Sequence, residues 1–165
     1  MTDACEVAHG TAEAATEHRT LVAVFASPVA EVLLRYAPDL GYRPVLVEPD
    51  AERADGAGIP AEAVVGELDG SADVVVTDHH RPELGAVLRD VLAHPVRWVG
   101  VLGNPRHEGP HVAALRELGV ADAEIARVHR PVGLNIGSRT PAEIAVATLA
   151  GLLADRNGRP GGFEF

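Results

Sequence analysis

Apolar residues in this chain come in short runs, separated by segments in which they recur every three or four positions. That alternation predicts buried strands joined by covering helices. Leu21–Phe25 is a continuous apolar run suited to a parallel strand covered on both faces. Ser27 and Pro28 follow as a helix N-cap and a first-turn proline. Val29, Val32, Leu33, Tyr36 and Leu40 then keep helical spacing until Gly41 ends the helix. Val45–Val47 predicts the second strand, running into Glu48 and Pro49, and the Gly-, Ala- and Asp-rich stretch 51–60 reads as a loop leading to a short strand at Ala63–Val65. Asp73–Val76 and Arg97–Leu102 predict two further strands. Between them Leu84, Val87, Leu88, Val91 and Leu92 define an amphipathic helix. Helices are also expected over 110–118, near 122–127 and over 141–155. The predicted fold class is α/β: a Rossmann-like, doubly wound, mainly parallel sheet of about five strands with helices on both faces.

Residues 1–18 show no apolar period and are expected to form a flexible tail, as is the Gly- and Pro-rich segment 157–165. One domain, 19–156, is expected between them, and 165 residues suffice for one sizeable core. All fourteen basic residues are Arg, which excludes chemistry that needs an amine, such as a Schiff base or a phosphate-loop lysine. A net charge of −10 argues against a nucleic-acid partner. Cys5 is the single cysteine, so no disulfide framework or thiolate metal site is expected. The N-terminal residues lack a basic region followed by an apolar run, and no apolar stretch approaches the roughly 20 residues that span a bilayer. The expected compartment is the cytoplasm, with no membrane contact.

In open parallel sheets ligands bind beyond the carboxyl ends of the strands, which here directs attention to 25–28, 48–50, 77–81 and 103–109, with 131–140 beside them. Ser27 at a strand-to-helix turn and Glu48 at the end of the second strand occupy the positions of a dinucleotide fingerprint. Phe25-Ala26-Ser27 nevertheless lacks the glycine that lets a backbone approach a pyrophosphate. Gly103, Asn104 and Arg106 could receive a phosphate or other anion at the start of a helix. Thr77 lies beside them, and Asp78 and His79 are the candidate acid/base pair, since imidazole titrates near neutrality and a carboxylate can orient it. Gly133, Asn135, Gly137 and Arg139 could line a groove ahead of the last helix. Thr140-Pro141-Ala142-Glu143 reads as a capping box and so as a structural signal. No metal site is expected.

Several of these segments together resemble one family. Trp98–Asn104 (W-V-G-V-L-G-N) resembles the aromatic-V/I-G-hydrophobic-hydrophobic-G-S strand and loop of the XdhC/CoxI family. Pro131–Gly137 (P-V-G-L-N-I-G) resembles its P-I-G-L-D-I-G loop, and Thr140–Ala145 its T-P-E-E-I-A helix start. Thr77–His80 is similar to its T-H-D-H segment, and Leu40–Arg43 with Val47–Pro49 to its second-strand region. The likeness runs from Leu21 to Arg156 in the family's order. It implies a Rossmann domain and an accessory role in maturing molybdenum hydroxylases such as xanthine or carbon monoxide dehydrogenase. In that role the protein would bind an anionic molybdopterin-type cofactor, and its partners would be the hydroxylase or its maturation factors, with a homodimer also allowed.

The sequence departs from the family pattern at four places. Phe25-Ala26-Ser27 replaces a G-A-G turn, and Gly103-Asn104-Pro105-Arg106-His107 replaces G-S-R-R-K. Asn135 replaces an aspartate, and the family's separate N-terminal domain is expected to be absent. Two other readings therefore stand beside the accessory role: an NAD(P)-dependent oxidoreductase using Glu48, Asp78 and His79, and a scaffold without a ligand. Loss of the glycine turn disfavours NAD(P).

Overall fold

The computed structural model describes residues 3–14 and 17–163. In chain order its elements are α1 (Ala4–Ala8), β1 (Arg19–Val24), α2 (Pro28–Tyr36), a 3-10 turn (Pro38–Leu40), β2 (Tyr42–Val47), α3 (Ala51–Gly56), β3 (Ala61–Glu62), β4 (Ala72–Val76), α4 (Leu84–Leu92), β5 (Trp98–Val101), α5 (Pro110–Glu117), α6 (Asp122–Ile125), β6 (Val128–His129) and α7 (Pro141–Arg156). The strands form one sheet of six in the order β3-β2-β1-β4-β5-β6, and every pairing is parallel. Stepping outward from β1 to β2 on one side and to β4 on the other reverses the strand order, so the switch point of this doubly wound sheet lies between β1 and β4.

Side chains alternate across the sheet as a period of two requires. Val22, Val24, Val74, Val76, Val99 and Val101 face α4 and α5, where they pack with Leu84, Leu88, Val91 and Leu115. Leu21, Val75 and Trp98 face the other way, onto Leu33 of α2 and Ala145, Leu149 and Leu152 of α7. Burial on both faces explains why Leu21–Val24 of β1 and Val74–Val76 of β4 read as unbroken apolar runs.

The sheet has six strands where about five were expected, and the additions are short edges. β3 pairs with Leu46 and Val47 through Ala61 and Glu62, ahead of the expected Ala63–Val65. β6 pairs with Val99 and Gly100 through two residues only, too few to show a period. β2 starts at Tyr42, earlier than Val45. Pro44 is tolerated within it because β3 reaches only Leu46 and Val47, leaving the edge beside Pro44 unpaired. The stretch 51–60, expected as a loop, opens with α3, where the Asp50 side chain accepts hydrogen bonds from the Glu52 and Arg53 N–H groups. Within the expected N-terminal tail, α1 buries no residue.

At the amino end of the sheet a buried carboxylate ties the layers together. Asp73, fully buried, accepts from the Tyr42 hydroxyl at 2.7 Å, Arg97 Nε at 2.6 Å and Arg156 Nη2 at 3.0 Å. It thereby joins β2, β4, the entry to β5 and the end of α7. The candidate site lies at the opposite end.

Candidate ligand-binding site

The turn after β1 is built around Phe25, which carries a left-handed φ of 72° and is wholly buried. A non-glycine residue is strained there by about 1–2 kcal/mol. The surrounding contacts hold it. Phe25 N–H donates to Val47 O at 2.8 Å, and the Arg81 guanidinium lies 4.5 Å above the ring centroid. Ser27 caps α2 by accepting from Ala30 N–H, and its hydroxyl meets Thr77 Oγ1 at 2.8 Å. Thr77 Oγ1 also lies within hydrogen-bond distance of the Val24 and Phe25 carbonyls, so both hydroxyls serve to close the β1–β4 seam.

Glu48 is only 1% exposed, and both of its oxygens are taken. Oε2 accepts from Ala26 N–H at 2.7 Å and Arg81 Nη1 at 2.9 Å; Oε1 accepts from Asp50 N–H at 3.0 Å and Arg81 Nη2 at 2.7 Å. Burial pushes its carboxyl upward, but the Arg81 guanidinium and the two backbone donors outweigh it and hold the group below its ordinary range. Arg81 is correspondingly raised, first by that hydrogen bonding. The residue read from the sequence as a ribose ligand thus has no free oxygen and braces the turn.

Asp78 and His79, the candidate acid/base pair, do not hydrogen-bond to each other through their side chains. Asp78 Oδ1 accepts from His80 N–H at 2.9 Å, whereas His79 Nδ1 lies 2.9 Å from Leu102 O. A carbonyl can only accept, so Nδ1 carries the proton and the neutral ring keeps Nε2 as an acceptor. Burial, then the neighbouring His80, and also Arg130, hold the His79 pKa below its usual value.

In the loop after β5, Asn104 Oδ1 accepts from Arg106 N–H at 2.9 Å, and His107 N–H bonds back to Asn104 O. Arg106 is exposed and borders neither of the cavities at this end of the sheet. The guanidinium that does enter the site belongs to Arg130, which follows β6. Its Nη2 donates to Asn104 O at 3.1 Å, while Nε and Nη1 are shut off from solvent without an acceptor. Gly103 lets the main chain lie flat against this guanidinium, since a Cβ there would fall 2.5 Å from Cζ. Nearby His111, 5% exposed, has an unpartnered Nδ1, and burial followed by Arg130 lowers its pKa.

Two cavities open beyond the carboxyl ends of β4 and β5, and His79 and Asn104 border both. One, of about 570 Å³, sets His80, His107, Glu108 and Arg130 among the apolar Pro82, Leu84, Ala114 and Pro110 at the start of α5. The other, of about 410 Å³, is mainly apolar, with Leu102, Leu134, Ile144 and Ala147 around Thr77, Gly103 and Ser138. Gly133 packs against α7, where a Cβ would meet the Ala147 carbonyl carbon at 2.9 Å. Asn135 and Gly137 are exposed and border neither cavity. Arg81 and Arg130 were not singled out in the sequence, and His111 drew notice only as an improbable metal pair with His107. Glu48 and Asn104, the partners of Arg81 and Arg130, lie far away along the chain, although Arg81 directly follows the Thr77–His80 segment and Arg130 precedes Pro131 of the P-V-G-L-N-I-G loop. Among the described residues no three His, Cys, Asp or Glu side chains are grouped to hold a metal ion, and no helix is long and apolar enough to cross a membrane.

Comparison with known proteins agrees with this architecture. The Escherichia coli K12 protein YqeB, described as uncharacterized, is 37% identical over 109 residues, covering 66% of this chain and 19% of its own length. A Bacillus halodurans crystal structure described as a xanthine dehydrogenase aligns with a TM-score of 0.67 at 19% identity, over 89% of this chain and 45% of that one, a likeness of fold. The chain therefore spans about a fifth of one relative and less than half of the other. The model of the XdhC Rossmann domain matches residues 21–152, and the chain belongs to that family.

Proposed function

We propose that this protein acts in the cytoplasm as an accessory factor in the maturation of molybdenum hydroxylases, binding an anionic molybdopterin-type cofactor for a hydroxylase or one of its maturation factors. The observation that carries this reading is Arg130, a guanidinium in the wall of a cavity at the carboxyl end of the sheet that no carboxylate pairs among the described residues. A guanidinium without a carboxylate partner at the edge of a cavity favours an oxyanion there. The donor set fits the terminal phosphate of such a cofactor. Membership of the XdhC family and the fold shared with the Bacillus protein support the choice of cofactor.

The alternative, an NAD(P)-dependent oxidoreductase, is disfavoured by the β1–α2 turn. There the Glu48 carboxylate already takes the Ala26 N–H, and Phe25 fills the space a glycine would leave. Calorimetric titration with molybdenum cofactor, NAD and NADP tests the choice. The cofactor is expected to bind more tightly than either dinucleotide. Tight NAD(P) binding with no response to the cofactor would overturn the proposal in favour of the oxidoreductase.

A further inference from the structure

The first turn of α5 holds a buried histidine that the cofactor reading does not use. His111 is 5% exposed, and its Nδ1 is closed to solvent without a hydrogen-bond partner. The ring lies on Gly109, the residue that starts the helix. A Cβ there would fall 2.4 Å from both Cε1 and Nδ1 of the ring and 3.0 Å from Arg130 Cδ. Gly109 is itself buried, so the ring and the Arg130 stem together close the joint between the loop after β5 and α5. Arg130 is the charge set against the ring. His79 and His80 reach the adjoining cavity from the loop after β4, and His107 and Glu108 reach it from the loop ahead of α5. Arg81, in the same wall, is held by Glu48 and Glu83. The charges of α4, α5 and α6 are paired as Arg89 with Asp90, Arg116 with Asp122 and Glu124 with Arg127. Among the described residues no carboxylate reaches His111 Nδ1.

A neutral imidazole tolerates this seat, because only one of its nitrogens carries a proton. An imidazolium does not. Both nitrogens are then donors, so Nδ1–H would be buried without an acceptor, beside a guanidinium and at the positive end of α5. Burial, followed by Arg130, accordingly holds the ring's pKa below its ordinary 6.5. We propose that His111 is an acid-released latch: its neutral ring, seated on Gly109, closes the joint between the loop after β5 and α5, and the charged ring leaves that seat and frees the joint. A released ring takes up its proton at the ordinary value, and a seated ring only at lower pH. The latch therefore holds above about 6.5 and loosens as pH falls below it. The joint carries His107 and Glu108 of the larger cavity, and Asn104, whose carbonyl binds Arg130, so release opens that wall. The latch is independent of which ligand the cavities take.

The test follows amide hydrogen exchange between Asn104 and Val112 in the full chain from about pH 8 to about pH 5, the range in which imidazole titrates. Rates are corrected for the intrinsic pH dependence of exchange, and the His111 ring is followed by NMR. Opening linked to one proton should grow by up to about tenfold per pH unit below 6.5 and stay flat above it. His111→Leu, which fills the seat and cannot titrate, should hold the segment closed throughout. Gly109→Ala, whose Cβ takes the ring's place, should loosen it already at neutral pH. Arg130→Gln should weaken the acid response, since a neutral neighbour does not repel the charged ring. His79→Gln should leave the response intact, which separates the latch from the other histidine whose pKa Arg130 lowers. Thermal melting checks that each variant folds. Wild-type exchange that ignores pH, or an acid response that persists in folded His111→Leu, overturns the latch. So does a response that disappears in His79→Gln. In the wild type alone, a His111 ring that titrates at its ordinary value with no change between Asn104 and Val112 overturns it as well.

Discussion

Glu48 and Arg81 meet as a two-point ion pair, with Nη1–Oε2 at 2.9 Å and Nη2–Oε1 at 2.7 Å, and the oxygen that takes Nη1 also accepts the Ala26 N–H. A carboxylate from the end of β2 therefore holds the first turn after β1, where glycine-rich relatives of this fold present backbone donors to a pyrophosphate. Arg81 covers the Phe25 ring at the same time, so charge pairing and ring packing stabilise one strained residue together.

Breaking this pair should be costly. Glu48→Gln leaves the buried Arg81 with Glu83, at 3.2 Å, as its remaining carboxylate, and removing one member of a buried pair typically destabilises by about 3–5 kcal/mol. The wild-type carboxyl sits below its ordinary value of 4.5 in the folded state. Its contribution is therefore present above that value and is lost as pH falls through the lower folded value. Urea unfolding across an acid series should show this loss in the wild type and a flatter dependence in Glu48→Gln. Equal slopes would remove Glu48 from the acid response.

Phe25→Gly sets two effects against each other. Glycine relieves the left-handed strain, about 1–2 kcal/mol, but truncating a buried Phe costs about 3–5 kcal/mol. A net destabilisation of about 1–4 kcal/mol is expected from denaturant melts, and NAD binding should not appear, because Glu48 still holds the Ala26 N–H. A stabilised variant would mean that the strain outweighs the packing.

Tyr42 governs the alkaline side. Burial, then the hydrogen bond to Asp73, pushes its phenol up to about 12 from an ordinary 10.0. A raised acid holds its proton more tightly in the folded state, so the stability it lends is complete below the ordinary value and fades as pH rises towards about 12. Ultraviolet titration should show one tyrosine ionising late and together with unfolding. In Tyr42→Phe that alkaline loss should be absent, while stability near neutrality falls by about 1.5–3 kcal/mol for the lost bond to a charged acceptor.

Thr140→Ala should lower stability by about 0.5–2 kcal/mol without touching ligand affinity. Thr140 accepts from Glu143 N–H while Glu143 accepts from Thr140 N–H, the reciprocal capping box that starts α7. A tenfold loss of affinity with an unchanged melting temperature would assign Thr140 to the site instead.

The sequence alone determined the parallel α/β fold, the limits of α4 and the capped start of α7, because these depend on local signals. Apolar runs bury strands, helical spacing builds a face, and Thr-Pro-x-Glu satisfies the first N–H groups of a helix whatever lies around it. The motifs after β4 and β5 fall, for the same reason, at the carboxyl end of the sheet where the two cavities open. The edge strands β3 and β6 escaped because two residues have no period, and pairing with β2 and β5 decides them. The roles within the site were decided by tertiary contact. Glu48 looked like a ribose ligand until Arg81, thirty-three positions later, closed over both of its oxygens. Arg106 carried the loop motif, yet the guanidinium that borders the cavity is that of Arg130, twenty-six positions beyond Asn104. A side chain's charge is written in the chain, but whether that charge is spent on a neighbour or left open to a ligand depends on which distant group the fold places against it.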